Sequence, residues 1–325
     1  MKKLITLITI ASFSVSLSAQ KLTERFDEEV SIKLDEGTLM GSLLVPKTKK
    51  KVPVILIIPG SGPTNRNCNS ALGLTSNSFM YLAESLHKKK IATLRVDKRV
   101  SGKSAPTFGS NLINVAFNDF ISDTEKWIEL LEKDERFSEI IIAGHSQGSL
   151  VGMVAASNKP VQKFISLSGP GRSIDNVMHE QINASLPNLS DSTRMFLDSI
   201  KRGGYMNDGP MMLKQMFPLM MKDFMSEWMS YSPTKIIAEL TIPVLIINGE
   251  HDIQVGVKEA EFLHQAQPNS KLVIIPEMSH ILKNAPEDRL ENAATYNQPD
   301  LPLNKQFVKE IVEFGKNETT PLPQP

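Results

Sequence analysis

Six stretches of the chain, residues 54–58, 91–96, 140–143, 164–167, 244–247 and 272–275, are rich in Val, Ile and Leu and show no in–out alternation. A strand with one face in water alternates, whereas a strand buried on both faces does not. Amphipathic segments separate the six runs. In residues 117–133, for example, Phe120, Trp127, Ile128 and Leu131 recur at helical intervals, and residues 78–89 read the same way. Strand and helix signals in turn predict a doubly wound α/β fold around a mostly parallel sheet. Ahead of them, residues 30–34 and 39–45 flank Asp35-Glu36-Gly37 and predict a hairpin. The expected sheet has about eight strands.

The 325 residues carry 36 Lys+Arg against 36 Asp+Glu, mixed along the chain. That balance offers no field to gather a polyanion, so nucleic acid is not an expected partner. Cys68 is the only cysteine and is expected as a free thiol in a loop, which excludes an intrachain disulfide and a cysteine-rich metal site. Residues 1–19 combine Lys2-Lys3, an apolar run too short to span a bilayer and a small residue, Ala19, before Gln20. This is the pattern of a cleaved secretory signal, and it predicts an exported, periplasmic or secreted protein without stable membrane insertion. Residues 318–325 hold three prolines and are expected as a disordered tail.

One interval breaks the rhythm. More than seventy residues separate the run at 164–167 from that at 244–247, and ten of the fifteen methionines fall there. A single crossover helix needs far less chain. The expected organisation is therefore a core of 20–169 and 236–317 with a helical, Met-rich cap at 170–235, broken into shorter helices at Pro218. Met212 and Met216 are candidate substrate contacts in that cap, since flexible thioethers suit apolar ligands of varied shape.

Gly144-His145-Ser146-Gln147-Gly148 lies between the apolar run 140–143 and the helix-like 149–156. A strand that turns abruptly into a helix strains the central residue and leaves room only for glycine two positions to either side, so the motif presents Ser146 as a nucleophile above the sheet edge. A serine hydroxyl needs a base and an acid to orient it. Asp252, just past the run 244–247, and His280, just past 272–275, fall at the same edge in the order Ser, acid, His. Glu250 and Asp175 are alternative acids. His145 and His251 are expected to pack or orient, and His87, His179 and His264 to be solvated.

Hydrolysis through an acyl-enzyme also needs donors for the oxyanion. The N–H of Gln147 is one, and the loop Pro59-Gly60-Ser61-Gly62-Pro63 supplies the other, with Ser61 chosen over Gly60 or Gly62. Gly60, Gly62 and His145 are further candidate substrate contacts. Gly102-Lys103-Ser104 does not make a phosphate loop, because Asp97 stands where a glycine is required. Asp97, Lys98 and Arg99 are expected to form a charge network that shapes the nearby loops. No metal or organic cofactor is implied.

Residues 59–66, Arg95-Val96-Asp97-Lys98-Arg99 and the Gly-His-Ser-Gln-Gly elbow together resemble the α/β-hydrolase superfamily. The resemblance covers residues 25–317, and within it the chain looks like the bacterial EstD-type carboxylesterases and their serine aminopeptidase-like relatives. It implies an α/β-hydrolase fold with a helical cap after the sixth strand, a triad of Ser146, Asp252 and His280, and a small-molecule ester substrate with a short to medium acyl group. The chain departs from that pattern at Asn65, where an acidic residue is usual, and at Val100, where glycine is usual. Peptide hydrolysis, and ligand binding without turnover, are the alternative expectations.

Overall fold

The computed structural model describes residues 27–317. The signal and the tail expected at 1–19 and 318–325 lie outside the described residues. Eight strands form one sheet: β1 (Glu28–Lys33), β2 (Thr38–Leu44), β3 (Val52–Ile58), β4 (Ala92–Val96), β5 (Phe137–His145), β6 (Lys163–Leu167), β7 (Val244–Gly249) and β8 (Lys271–Ile275). Their spatial order is β1-β2-β4-β3-β5-β6-β7-β8. β1 and β2 make the antiparallel hairpin, β2 pairs antiparallel with β4, and every other pairing is parallel.

Helices cover both faces, which is why the central runs lack alternation. Successive residues of β3 point to opposite sides: Val54, Leu56 and Ile58 join one hydrophobic cluster, and Ile55 and Ile57 join the other. Against the first face pack α2 (Phe117–Glu132) and α3 (Gln147–Asn158), with Phe117, Trp127, Ile128, Val151 and Met153 buried. Against the second pack α1 (Ser78–Lys88) and the last helix, Lys305–Lys316, through Phe79, Leu82, Leu86, Phe307 and Ile311.

Between β6 and β7 the described residues hold five α-helices: α4 (Ile174–Ser185), α5 (Ser190–Lys201), α6 (Met211–Met216), α7 (Lys222–Ser230) and α8 (Pro233–Ala238). Pro218, which has no N–H to donate, follows the end of α6 and separates it from α7. Phe117 stacks on Trp228 with ring centroids 5.6 Å apart, which fastens α7 to α2. Beyond β7 comes α9 (Val257–Ala266).

Candidate active site

The elbow between β5 and α3 has the geometry that its glycines require. Ser146 takes φ 54° and ψ −122°, outside the helical and extended regions. A Cβ on Gly144 would lie 2.2 Å from the carbonyl oxygen of Gly148, and one on Gly148 would lie 2.4 Å from that of Ile58. The N–H of Ser146 donates to Leu167 O of β6 at 2.9 Å, pinning the strained residue to the neighbouring strand. Gln147 opens α3, so its N–H has no carbonyl one turn back and is left for an anion at the helix N-terminus.

Asp252 and His280 meet across the loops that follow β7 and β8. Those loops are tied by Glu250 N–H to Ile275 O (3.0 Å) and His251 N–H to Met278 O (3.1 Å). Asp252 Oδ1 accepts the N–H groups of Gln254 and Val255, both at 2.8 Å, and Oδ2 accepts His280 Nδ1–H at 2.7 Å. With Nδ1 as the donor, His280 Nε2 keeps a lone pair free to take a proton. Both side chains are buried, Ser146 is half-buried, and Ser146 and His280 line the same cleft.

The rival groups sit elsewhere. Glu250 is exposed, and Asp175 pairs with Arg194 (3.3 Å) and Lys201 (3.0 Å) at the base of the insert. His251 Nδ1–H donates to Ala285 O at 2.6 Å. His179 and His264 are half-buried and bonded to Ser190 and Ser270, and His87 is half-buried on α1; none of the three lines the cleft. His145 is buried, and its Nε2–H donates to the backbone carbonyl of His280 at 2.8 Å. Burial pushes its pKa down to about 3, so the ring is neutral and steadies the His280 loop.

The cleft has a volume of about 290 Å³. Its walls are the 60–64 loop, the segment from Cys68 to Leu74, and Gln254, Ile281 and Tyr296. Gln254 and Tyr296 carry no motif that marks them in the sequence; only the fold brings them into one cleft with Ser146. Cys68 is free, as expected, but buried, and burial pushes its thiol up to about 11.

Met212 and Met216 do not reach this cleft, which corrects their expected role. α6 turns Leu213 inward, with Phe217 one turn further on, while Met212 and Met216, also one turn apart, share the outward face and are each 46% exposed. No residue of the insert lines the cleft; α4 instead borders a neighbouring hollow behind Asp252, through Val177, Glu180 and Gln181.

The Asp97–Arg99 segment is a buried network. Asp97 accepts the N–H and Nε–H of Arg66 at 2.7 and 2.8 Å and the N–H of Lys103 at 2.9 Å. That last contact explains the Gly-Lys-Ser stretch, which wraps the Asp97 carboxylate. Arg99 holds Asp123 with two bonds of 2.9 and 2.6 Å. Lys98 Nζ donates to the carbonyls of Gly60 and, at 2.7 Å, Gly62.

Burial lowers the Lys98 pKa to about 7 from an ordinary 10.5. Between those pH values the unfolded chain binds more protons than the folded one, so this residue makes stability rise with pH. Wild type should gain on Lys98→Met as urea unfolding is repeated from pH 7 to 10. A flat difference would mean that the buried amine stays protonated throughout.

A doubly wound sheet with a strained serine at a strand-to-helix turn, and an acid and a histidine at later strand ends, defines the α/β-hydrolase class. Residues 71–287 match the family model described as serine aminopeptidase, S33, and the chain belongs to that family. It is 25% identical over 255 residues to esterase EstD of Thermotoga maritima, covering 75% of this chain and 58% of that relative's length. Among solved structures it resembles Est1E from Butyrivibrio proteoclasticus with ferulic acid bound (19% identity, 88% of this chain and 96% of that one, TM-score 0.57). It also resembles an esterase, EaEST, from Exiguobacterium antarcticum (16% identity, 89% and 100%, TM-score 0.56). Both likenesses are in the fold.

Proposed function

We propose that the protein is a serine carboxylesterase that cleaves short to medium, uncharged acyl esters through an acyl-enzyme intermediate. The observation that carries this reading is the 2.7 Å hydrogen bond that joins Asp252 to His280, which lines one cleft with a serine held at φ 54°. In this mechanism Ser146 Oγ attacks the ester carbonyl as His280 Nε2 takes its proton. The same proton then passes to the leaving alkoxide, and water repeats the cycle on the acyl-enzyme. Asp252 holds the imidazole in the required tautomer and balances the imidazolium that forms. The N–H of Gln147 and one N–H of the 60–62 loop receive the oxyanion.

The cleft supports an uncharged substrate. Its walls include Leu72, Leu74 and Ile281 and no carboxylate to receive the ammonium end of a peptide. Its size suits a compact acyl group, and the similarity to esterase EstD points the same way. The helical segment 170–235 is read as a lobe beside the mouth, joined to a core of 20–169 and 236–317.

Intact-mass measurement after a fluorophosphonate treatment tests the reading. One adduct is expected on the wild type and none on Ser146→Ala, because such reagents need an activated serine. A folded wild type that takes no adduct would turn the assignment toward ligand binding without turnover. An acyl-length series of esters run beside aminoacyl amides then separates esterase from peptidase. Residues 1–19 are read as an export signal, and the same spectrum, taken on protein exported by the producing cell, should show a chain that starts at Gln20.

A further inference from the structure

We propose that Lys98 is a positioning residue that fixes the second oxyanion donor, aiming the N–H of Ser61 at the reacting carbonyl by holding the carbonyls of Gly60 and Gly62. The inference rests on the esterase reading and adds to it the device that orients the loop.

Lys98 stands two residues past β4 and is 7% exposed. Its Nζ donates to Gly60 O and Gly62 O, and the Phe120 ring, whose centroid lies 5.1 Å away, covers its remaining side. The flanking residues Asp97 and Arg99 are committed to Arg66 and Asp123. A lysine head group buried against carbonyls and an aromatic ring is a poor stability device, since an apolar side chain of the same length would avoid its desolvation. Both of its hydrogen bonds go to one loop.

Peptide geometry says what those contacts do. In a trans peptide the C=O and N–H point in opposite directions. Drawing the carbonyl of Gly60 onto Lys98 therefore turns the N–H of Ser61, in the same peptide unit, away from Lys98. The carbonyl of Gly62 belongs to the peptide with Pro63, which has no N–H, so that contact anchors the loop without offering a donor. The carbonyl of Ser61, whose unit carries the N–H of Gly62, instead accepts from Thr64 Oγ1 at 2.9 Å. Of the loop's donors, the N–H of Ser61 is the one whose direction the lysine sets. The loop abuts the nucleophile, for a Cβ on Gly60 would lie 3.1 Å from the Cβ of Ser146, and Ser61 and Ser146 line one cleft. The hydrogen bond from Nζ also polarises the Gly60–Ser61 peptide and so strengthens that N–H as a donor.

The test is Lys98→Met in the full chain, assayed on a short-chain ester. A lost oxyanion donor costs about a hundredfold or more in kcat, so a misaimed one should cost about ten- to a hundredfold, with KM within about twofold. Affinity for a trifluoromethyl ketone, which forms a tetrahedral oxyanion on the serine, should fall in parallel with kcat/KM. The fluorophosphonate adduct on Ser146 should still form, because the nucleophile and its base are untouched. Should the methionine variant fail to fold, Lys98→Gln, which keeps one short donor, should show the same split with a smaller loss. Turnover and ketone affinity within twofold of wild type would overturn the clamp alone, whereas a wild type that takes no fluorophosphonate would overturn it together with the esterase reading.

Discussion

Replacing Ser146 with alanine should lower kcat/KM on a short ester by about 10⁶-fold, and replacing Asp252 with asparagine by about 10⁴-fold. The second value follows from hydrogen-bond roles. Asp252 Oδ1 accepts two backbone N–H groups, from Gln254 and Val255, so an asparagine would keep its oxygen there and turn its NH₂ toward His280. His280 Nδ1 would then have to accept, which moves the ring proton to Nε2, and a protonated Nε2 cannot take the proton of Ser146. The backbone around the site would hardly change. Glu250→Gln is the control: its side chain is exposed and touches neither partner, and activity should stay within about twofold. Steady-state kinetics on one chromogenic ester decides the matter, and an Asp252→Asn variant that keeps a tenth of wild-type activity would assign the acid elsewhere.

Gly144→Ala and Gly148→Ala should each lower stability by about 3 kcal/mol or more, at the upper end of overpacking effects. In both cases the new methyl meets backbone: Gly148 O at 2.2 Å in the first, Ile58 O at 2.4 Å in the second. No rotamer change can relieve a clash with a backbone carbonyl, of α3 in the first case and of β3 in the second. Gly152→Ala offers the contrast, since its methyl would meet the side chains of Ile142 (2.8 Å) and Ile58 (3.1 Å), which can yield. Urea midpoints for the three variants should therefore fall in two groups. If all three lost less than about 1 kcal/mol, the elbow would be relaxing rather than holding Ser146 under strain.

The sheet was legible in the sequence because burial on both faces removes alternation, and β3 with its Val54/Leu56/Ile58 and Ile55/Ile57 sides shows the cause directly. Placing Ser146, Asp252 and His280 at strand ends needed only the elbow motif and the order of the runs. What the sequence did not disclose depends on contacts far apart along the chain. Lys98 reads as one charge among three, and nothing local marks the glycine carbonyls it meets, 36 and 38 residues earlier. Gln254 reaches the cleft from an irregular loop and Tyr296 from a single 3-10 turn, Thr295–Asn297, and neither carries a periodic signal. α6 misled for a different reason. Leu213 and Phe217 form one apolar stripe and Met212 and Met216 another, so helical period alone cannot decide which stripe faces inward.

The outward methionines have a chemical consequence. Met195, Met211, Met212, Met216, Met220 and Met221 are 38–67% exposed, and none lines the cleft. Thioethers in water are the first groups that peroxide converts to sulfoxides. Met153, Met225, Met229 and Met278 are buried, and the Cys68 thiol, pushed up to about 11, offers little reactive thiolate. An oxidant meeting this protein would therefore be consumed first on these outward thioethers of the insert, turning apolar surface polar while the serine and its partners stay unmodified.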